Sequence, residues 1–145
     1  MAGILFLCVA NSARSQLAEA IARQMSPELD VWSAGSEPTH VRPQVRRVLD
    51  ELGYDPRGLR SKSMFEVEMD EIDVIVTLCR EEQCPTLPGR KRHVHWPLPD
   101  PAAAPEEEKD EAFRARGLTR GRRLALLVRE VQGHVPRPAV ILSAP

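Results

Sequence analysis

The sequence has no long apolar run, no excess of charge of one sign and no even set of cysteines. A membrane-spanning helix needs roughly 20 consecutive apolar residues, and no stretch of this 145-residue chain reaches that length. The formal net charge is -1, which argues against nucleic acid or a membrane surface as a partner. Three cysteines are an odd count, whereas a disulfide framework uses pairs. We therefore expect a monomeric cytoplasmic protein, whose thiols serve catalysis, metal binding or packing.

The residues that are present fit one folded domain covering 1–145. Apolar residues make up 42% of the chain and charged residues 28%, which is an ordinary balance for a globular protein. The length allows a substantial core. The first seven residues are apolar, but they lack a basic leader and Cys8 follows them. We expect no secretory signal.

Short apolar runs alternate with helical patterns along the chain. Continuous or alternating apolar residues predict four buried strands. These lie at residues 3–9, 29–33, 74–78 and 93–96. Strands that alternate with helices indicate an α/β fold, here a three-layer sandwich with a four-stranded parallel sheet.

The first predicted helix runs from Arg14 to about Ser26, with apolar residues four apart on one face and Glu19 between them. The second begins at Pro43 and ends at a Gly53 cap. A short helix is expected at 64–69 and a longer one after the loop that ends at residue 105. The proline-bearing end from Pro136 is expected to be irregular, although Val140-Ile141-Leu142 can pack onto the body. The buried face of the long helix is predicted to contain Leu124, Leu127, Val128 and Val131.

The segment between the first strand and the first helix carries the most informative motif. It reads Cys8-Val9-Ala10-Asn11-Ser12-Ala13-Arg14-Ser15. A loop that leaves a buried strand and enters a helix can turn successive backbone N–H groups around an anion, and the helix N-terminus adds about half a positive charge.

The side chains of this loop suit a tetrahedral oxyanion. Arg14 can hold two of its oxygens, and the small residues between Cys8 and Arg14 leave room for an ion of phosphate size. The same features stabilise a thiolate at Cys8, to which Ser15 can donate a hydrogen bond, while Asn11 can fix the loop. The alternative is a buried, inert Cys8 and a surface Arg14.

Two further candidates follow the third and fourth strands. Because active sites of parallel sheets form beyond the carboxyl ends of the strands, Cys8, Cys79 and Asp100 should meet at one edge. Asp100 lies in a proline-stiffened loop and is a candidate proton donor; otherwise it is an ordinary turn aspartate. Cys79 and Cys84 can form a disulfide if their loop brings the sulfurs together. Two alternatives remain, namely two buried thiols, or zinc held by these cysteines with His93 and His95.

These motifs together resemble the thioredoxin-coupled arsenate reductases, which are built on the low-molecular-weight tyrosine phosphatase fold. The resemblance covers nearly the whole chain. It rests on Cys8 through Gln16 with Ala18-Glu19, on Ser33-Ala34-Gly35, on Thr77-Leu78-Cys79 with Cys84-Pro85, and on His95-Trp96 with Asp100-Pro101-Ala102.

The resemblance implies arsenate detoxification by a relay of three thiols. Arsenate binds against Arg14, the Cys8 thiolate attacks arsenic, and Asp100 protonates the leaving hydroxide. A Cys8–Cys79 disulfide forms as arsenite leaves, and Cys84 then converts it into a Cys79–Cys84 disulfide that thioredoxin reduces. Phosphate and sulfate are the expected competing oxyanions, and no resident cofactor or metal is implied.

The chain departs from the family pattern at three places. The gap between Cys79 and Cys84 is short, and Ala13 stands where many members carry a cysteine. Some members bind potassium through an asparagine, a glutamate, a serine and an aspartate. Asn11, Glu19 and Ser33 match the first three, but residues 60–63 contain no aspartate.

Two other functions remain open. A low-molecular-weight protein tyrosine phosphatase would use the same Cys8 loop and Asp100 through a cysteinyl-phosphate. Such enzymes usually place tyrosine near the acid, whereas the single tyrosine here is Tyr54. We expect weak hydrolysis of small aryl phosphates in either case. The other possibility is a non-catalytic module that binds phosphate or senses redox state.

Overall fold

A computed structural model of the chain describes residues 3–79, 92–96, 104–109, 111–112, 114–115 and 141–143. Within these residues one sheet contains β1 (Gly3–Cys8), β2 (Asp30–Gly35), β3 (Val74–Thr77), β4 (Arg92–His95) and β5 (Ile141–Ser143). The order is β2-β1-β3-β4-β5, and every neighbouring pair is parallel.

The four predicted parallel strands are confirmed, and the sheet has one strand more than predicted. The additional strand, β5, has only three residues and lies in the proline-rich end that we expected to be irregular. The sequence there has only a four-residue apolar run, Ala139-Val140-Ile141-Leu142, next to Pro136 and Pro138. A run of that length beside prolines is a weak signal for a strand.

The bounds of the first two helices agree closely with the predicted ones. The first, α1, spans Arg14–Met25, and the second, α2, spans Pro43–Leu52. Gly53 caps α2 in the left-handed conformation at φ 85°, and its N–H donates to the last turn. Such a φ favours glycine, which has no Cβ to clash.

The predicted short helix consists instead of two 3₁₀ turns, Met64–Glu66 and Met69–Glu71. Another 3₁₀ turn, Glu106–Glu108, opens the predicted long helix, and residues 109, 111–112 and 114–115 are helical. The predicted buried face of that helix lies outside the described residues. Among the described residues, no helix has the length and apolar character to cross a membrane.

Side chains of β1 alternate between two apolar layers. Ile4 and Phe6 pack in the cluster that also holds α1 and α2, whereas Leu5 and Leu7 pack on the other face with Ile75. Because both faces of β1 are covered, its sequence is a continuous apolar run.

The sheet brings the ends of β1 and β3 together. Leu7 pairs with Thr77, and the Leu78 N–H donates to the Leu7 carbonyl at 2.9 Å. Adjacent strands lie about 4.8 Å apart. Cys8 and Cys79, which follow these residues, therefore lie at the same edge of the sheet.

Candidate active site

Cys8 is the last residue of β1 and carries a free, buried thiol. Its side chain is 2% exposed, and its Sγ lies 2.9 Å from the Ser15 Oγ. Ser15 stands in the first turn of α1. The sulfur thus lies at the helix N-terminus, where the backbone dipoles favour negative charge.

The loop between Cys8 and α1 directs its carbonyl groups outward. Backbone N–H groups of the 37–42 segment and the side chains of Ser61 and Gln16 donate to these carbonyls. The contacts are Glu37 N to Val9 O at 2.9 Å, Thr39 N and Ser61 Oγ to Ala10 O at 3.1 Å, Gln16 Nε2 to Asn11 O at 3.0 Å, and Arg42 N to Ser12 O at 3.0 Å. In a trans peptide the N–H points opposite to the C=O, so the N–H groups of residues 10–13 are directed into the loop. This is the arrangement that an oxyanion requires.

Asn11 fixes the loop from within. It is fully buried and has a positive φ of 48°, which asparagine tolerates better than most residues. Its Nδ2 donates to Ser15 Oγ at 2.7 Å and to Ser33 Oγ at 3.0 Å. Its Oδ1 accepts from Gln16 Nε2 at 3.0 Å and from the Lys62 backbone N–H at 2.9 Å. Since the acceptor side faces two donors, the orientation of the amide is determined.

The Asn11 amide sets the direction of the hydrogen bonds that reach Cys8. Both N–H donors of the amide are used on serine hydroxyl oxygens. The Ser33 hydroxyl therefore donates its hydrogen to Glu19 Oε1, at 3.0 Å. The Ser15 hydroxyl likewise has its hydrogen available for the Cys8 sulfur. A hydroxyl that donates to sulfur stabilises the thiolate rather than the thiol.

Arg14 is buried, contrary to the alternative of a surface arginine. It is 4% exposed, and its Nη1 donates to the Leu78 carbonyl at 3.3 Å. Leu78 precedes Cys79, so the guanidinium is held between the loop and the end of β3. Of the three residues predicted to meet at one sheet edge, Cys8 and Cys79 lie there, and Asp100 lies outside the described residues.

Gly35 is a site residue for which the sequence analysis assigned no role. It pairs with Cys8 across β1 and β2. A Cβ at Gly35 would lie 2.3 Å from the Val9 carbonyl oxygen and 3.0 Å from the Asn11 nitrogen. Only glycine permits this approach of the loop to the strand.

Glu19 lies in the site rather than on the solvent face that its helical spacing indicates. It is 1% exposed. The Lys62 ammonium lies 3.3 Å from its Oε1, and the Arg23 guanidinium lies 3.1 Å from its Oε2.

The nearby stretch from 63 to 66 forms a capping box. There the Ser63 backbone N–H, and then Arg60, hold the pKa of Glu66 below its ordinary value.

Cys79 is 1% exposed and is disulfide-bonded. Because Cys8 is free, the bond is not the Cys8–Cys79 disulfide. Cys84 and Asp100, the other predicted members of the site, lie outside the described residues. A disulfide-bonded Cys79 supplies no thiolate for the zinc alternative. Another ligand of that alternative, His95, has its Nδ1 in a hydrogen bond with Thr77 Oγ1 at 2.7 Å.

Known proteins are similar to this chain in sequence. The model of the low molecular weight phosphotyrosine protein phosphatase family matches residues 3–116. The arsenate reductase of Halalkalibacterium halodurans is 39% identical over 116 residues, which are 77% of this chain and 84% of that protein.

Two solved structures are similar over most of the chain. One is an arsenate reductase in a phosphate-binding state, with a TM-score of 0.77 and 28% identity, covering 90% of this chain and 99% of that chain. The other is the thioredoxin-dependent arsenate reductase of Corynebacterium glutamicum, with a TM-score of 0.67 and 27% identity, covering 91% of this chain and 62% of that chain. This chain belongs to the low-molecular-weight phosphotyrosine protein phosphatase family and is similar, within it, to the arsenate reductases.

Proposed function

We propose that this chain reduces arsenate to arsenite with the thiols of Cys8, Cys79 and Cys84. One observation carries the proposal: the Cys8 sulfur ends a chain of oriented hydrogen bonds at an anion loop, and a second sulfur, Cys79, follows the adjacent strand. A phosphatase needs the first feature only. The names of the relatives at 36–39% identity favour the same substrate.

The first step forms a bond between sulfur and arsenic. Arsenate occupies the loop of N–H groups at residues 10–13, with Arg14 holding two of its oxygens. The Cys8 thiolate, stabilised by Ser15, attacks arsenic(V). A hydroxide leaves as water, with its proton supplied by Asp100.

The second step reduces arsenic. The Cys79 thiolate attacks the Cys8 sulfur, the sulfur–arsenic bond breaks, and its electron pair stays on arsenic, which leaves as arsenite(III). Two thiolates are thereby oxidised to the Cys8–Cys79 disulfide. Cys84 then attacks Cys79, which releases the Cys8 thiolate and leaves the Cys79–Cys84 disulfide. A free Cys8 beside a disulfide-bonded Cys79 is the pairing expected of that final state.

An external dithiol must return the two electrons. We propose thioredoxin, because the similar Corynebacterium glutamicum protein is thioredoxin-dependent by name. The remaining parts of the proposal are a single domain over 1–145, a monomer in the cytoplasm, and competition by phosphate and sulfate for the loop.

The decisive test is arsenate-dependent consumption of NADPH with thioredoxin and thioredoxin reductase. Wild type is expected to turn over steadily, while Cys8→Ser, Cys79→Ser and Cys84→Ser are expected to be inactive in steady state. Cys84→Ser should still release one arsenite per chain and trap the Cys8–Cys79 disulfide. Full turnover by Cys84→Ser would refute the relay, and no arsenite from wild type would favour a non-catalytic phosphate-binding or redox-sensing module.

Phosphatase activity is the second candidate, because the family model that matches the chain is that of a phosphatase. The loop presents N–H groups to any tetrahedral oxyanion, so a cysteinyl-phosphate at Cys8 is chemically accessible. We expect slow hydrolysis of p-nitrophenyl phosphate that is lost in Cys8→Ser and kept in Cys84→Ser. Phosphatase turnover faster than arsenate reduction would make this the main activity.

A further inference from the structure

A lysine ammonium lies on the buried carboxylate of the site. Lys62 Nζ is 3.3 Å from Glu19 Oε1 and 3.1 Å from the Arg60 carbonyl oxygen. The side chains are 11% and 1% exposed, respectively. Arg23, which contacts the other carboxylate oxygen, is 44% exposed. Among the described residues, Lys62 is therefore the more buried of the two cationic partners of this carboxylate.

The backbone holds Lys62 in place from both sides. Its N–H donates to Asn11 Oδ1 at 2.9 Å, and its carbonyl accepts from the Gly35 N–H at 3.0 Å. Both partners belong to the site: Asn11 lies in the anion loop, and Gly35 pairs with Cys8. The ammonium is thus attached to the part of the chain that braces the loop.

The charge of Glu19 determines how the neighbouring hydroxyl is used. A carboxylate only accepts hydrogen bonds, so Ser33 must give its hydrogen to Glu19 and accept from Asn11. The Ser33 oxygen thereby stays available as the acceptor for one Asn11 N–H, while the other N–H lies on Ser15, which serves Cys8. A carboxylate at Glu19 thus reinforces the amide orientation that the two donors on Asn11 Oδ1 set, and a buried carboxylate requires a counter-charge.

A potassium ion, which the family resemblance suggests for this position, does not fit these residues. The oxygen Glu19 Oε1 is in contact with the Lys62 ammonium, and Asn11 Oδ1 already accepts two N–H groups. The Ser33 oxygen accepts one hydrogen bond and directs its own hydrogen toward Glu19. Moreover, a metal cation here would stand beside an ammonium of the same charge.

We propose that Lys62 is a built-in counter-cation that positions the Glu19–Ser33–Asn11–Ser15 chain for the Cys8 thiolate, which makes the protein independent of potassium. Lys62 acts through other residues and is a positioning residue. The proposal rests on the proposed function for the reactivity of Cys8, but its test does not use arsenate.

The test compares Lys62→Ala with Arg23→Ala, which removes the exposed partner of the same carboxylate. The readouts are Tm and the pH profile of Cys8 alkylation by iodoacetamide, each in choline, sodium, potassium or ethylammonium chloride at equal ionic strength. For Lys62→Ala we expect alkylation at neutral pH to fall roughly tenfold, as for outer partners that orient a reactive group. Ethylammonium should restore part of the rate. Arg23→Ala should match wild type, because water can replace a guanidinium that is 44% exposed, while the buried Lys62 ammonium still balances the carboxylate.

Wild type should show the same Tm and rate in potassium as in sodium or choline. A higher Tm or alkylation rate of wild type in potassium alone would refute the built-in cation. So would a Lys62→Ala variant whose Cys8 is alkylated as fast as in wild type. Should Lys62→Ala not fold, the double variant Glu19→Gln/Lys62→Met replaces the pair by neutral groups of similar size. It is expected to fold and to alkylate slowly, without a response to ethylammonium; wild-type alkylation by the double variant would refute the positioning role. If the alkylation and Tm results are as expected but the protein does not turn over arsenate, the proposed reductase function is rejected and the role of Lys62 is retained.

Discussion

Gly35→Ala tests whether the anion loop depends on one close backbone approach. The substitution adds a single methyl group at the end of β2, next to Cys8. The φ of Gly35 lies outside the positive range that disfavours alanine, so the backbone conformation is permitted. The new Cβ, however, would meet the Val9 carbonyl oxygen at 2.3 Å and the Asn11 nitrogen at 3.0 Å.

The cost follows from the distance. Ordinary contact begins at 3.4 Å, so the Val9 carbonyl must retreat by about 1 Å, although it is held by the Glu37 N–H at 2.9 Å. Overpacking of this kind costs about 1–3 kcal/mol, and the backbone contact favours the upper end. For a chain of this size each kcal/mol lowers Tm by about 2–4 °C. We expect Gly35→Ala to lower Tm by about 4–10 °C and to displace the N–H groups that face the oxyanion.

The assay is alkylation of Cys8 by iodoacetamide with and without phosphate or arsenate. In Gly35→Ala the rate at neutral pH should fall and oxyanion protection should be lost. Gly53→Ala is the matched control, since its φ of 85° makes alanine strained while open space surrounds it. Its cost is about 1–2 kcal/mol, with Cys8 unaffected. Wild-type protection in Gly35→Ala, or equal loss in Gly53→Ala, would refute the argument.

Two further predictions concern single side chains. Ser15→Ala removes the hydroxyl donor of the Cys8 thiolate, worth about 1.5–3 kcal/mol for a charged partner, so alkylation at neutral pH should slow at least tenfold. Tm should also fall by several degrees, because the buried Asn11 Nδ2 loses one of its acceptors. An unchanged rate would exclude that role. Burial lowers the pKa of His93, so the unfolded state binds the proton more readily and stability should fall as pH drops below about 6.5. Denaturant titrations should show a smaller fall for His93→Gln, and an equal fall would reject this cause.

The strands and helices near the site could be predicted because their patterns are local. The first strand is covered on both faces, which makes it a continuous apolar run, and Pro43 and Gly53 mark the ends of α2. The Cys8–Arg14 spacing, placed between a strand and a helix, predicts an anion loop, and binding of an anion there stays a prediction.

The interior of the site could not be predicted, because its contacts join distant parts of the chain. The Lys62 ammonium meets Glu19 across 43 positions, and Asn11 meets the Lys62 backbone across 51. The close approach at Gly35 likewise depends on the path of the loop and not on its neighbours in sequence. The periodic spacing of apolar residues in a helix gives no information about such contacts.

The sequence of the first helix nevertheless contains a signal of the site in its polar residues. Its first nine residues are all buried, and these include the polar set Arg14, Ser15, Gln16 and Glu19. An ordinary amphipathic helix exposes such residues to water. A helix that buries such residues needs hydrogen-bond partners for them, and here the partners include the anion loop, β2, the end of β3 and the Arg60–Lys62 segment. Local rules are most often broken where function requires it. A helix that follows a buried strand and a cysteine, and that has four polar residues in its first two turns, is therefore expected to bury those residues in a hydrogen-bonded site. The expectation is strongest where the loop before the helix must hold an anion.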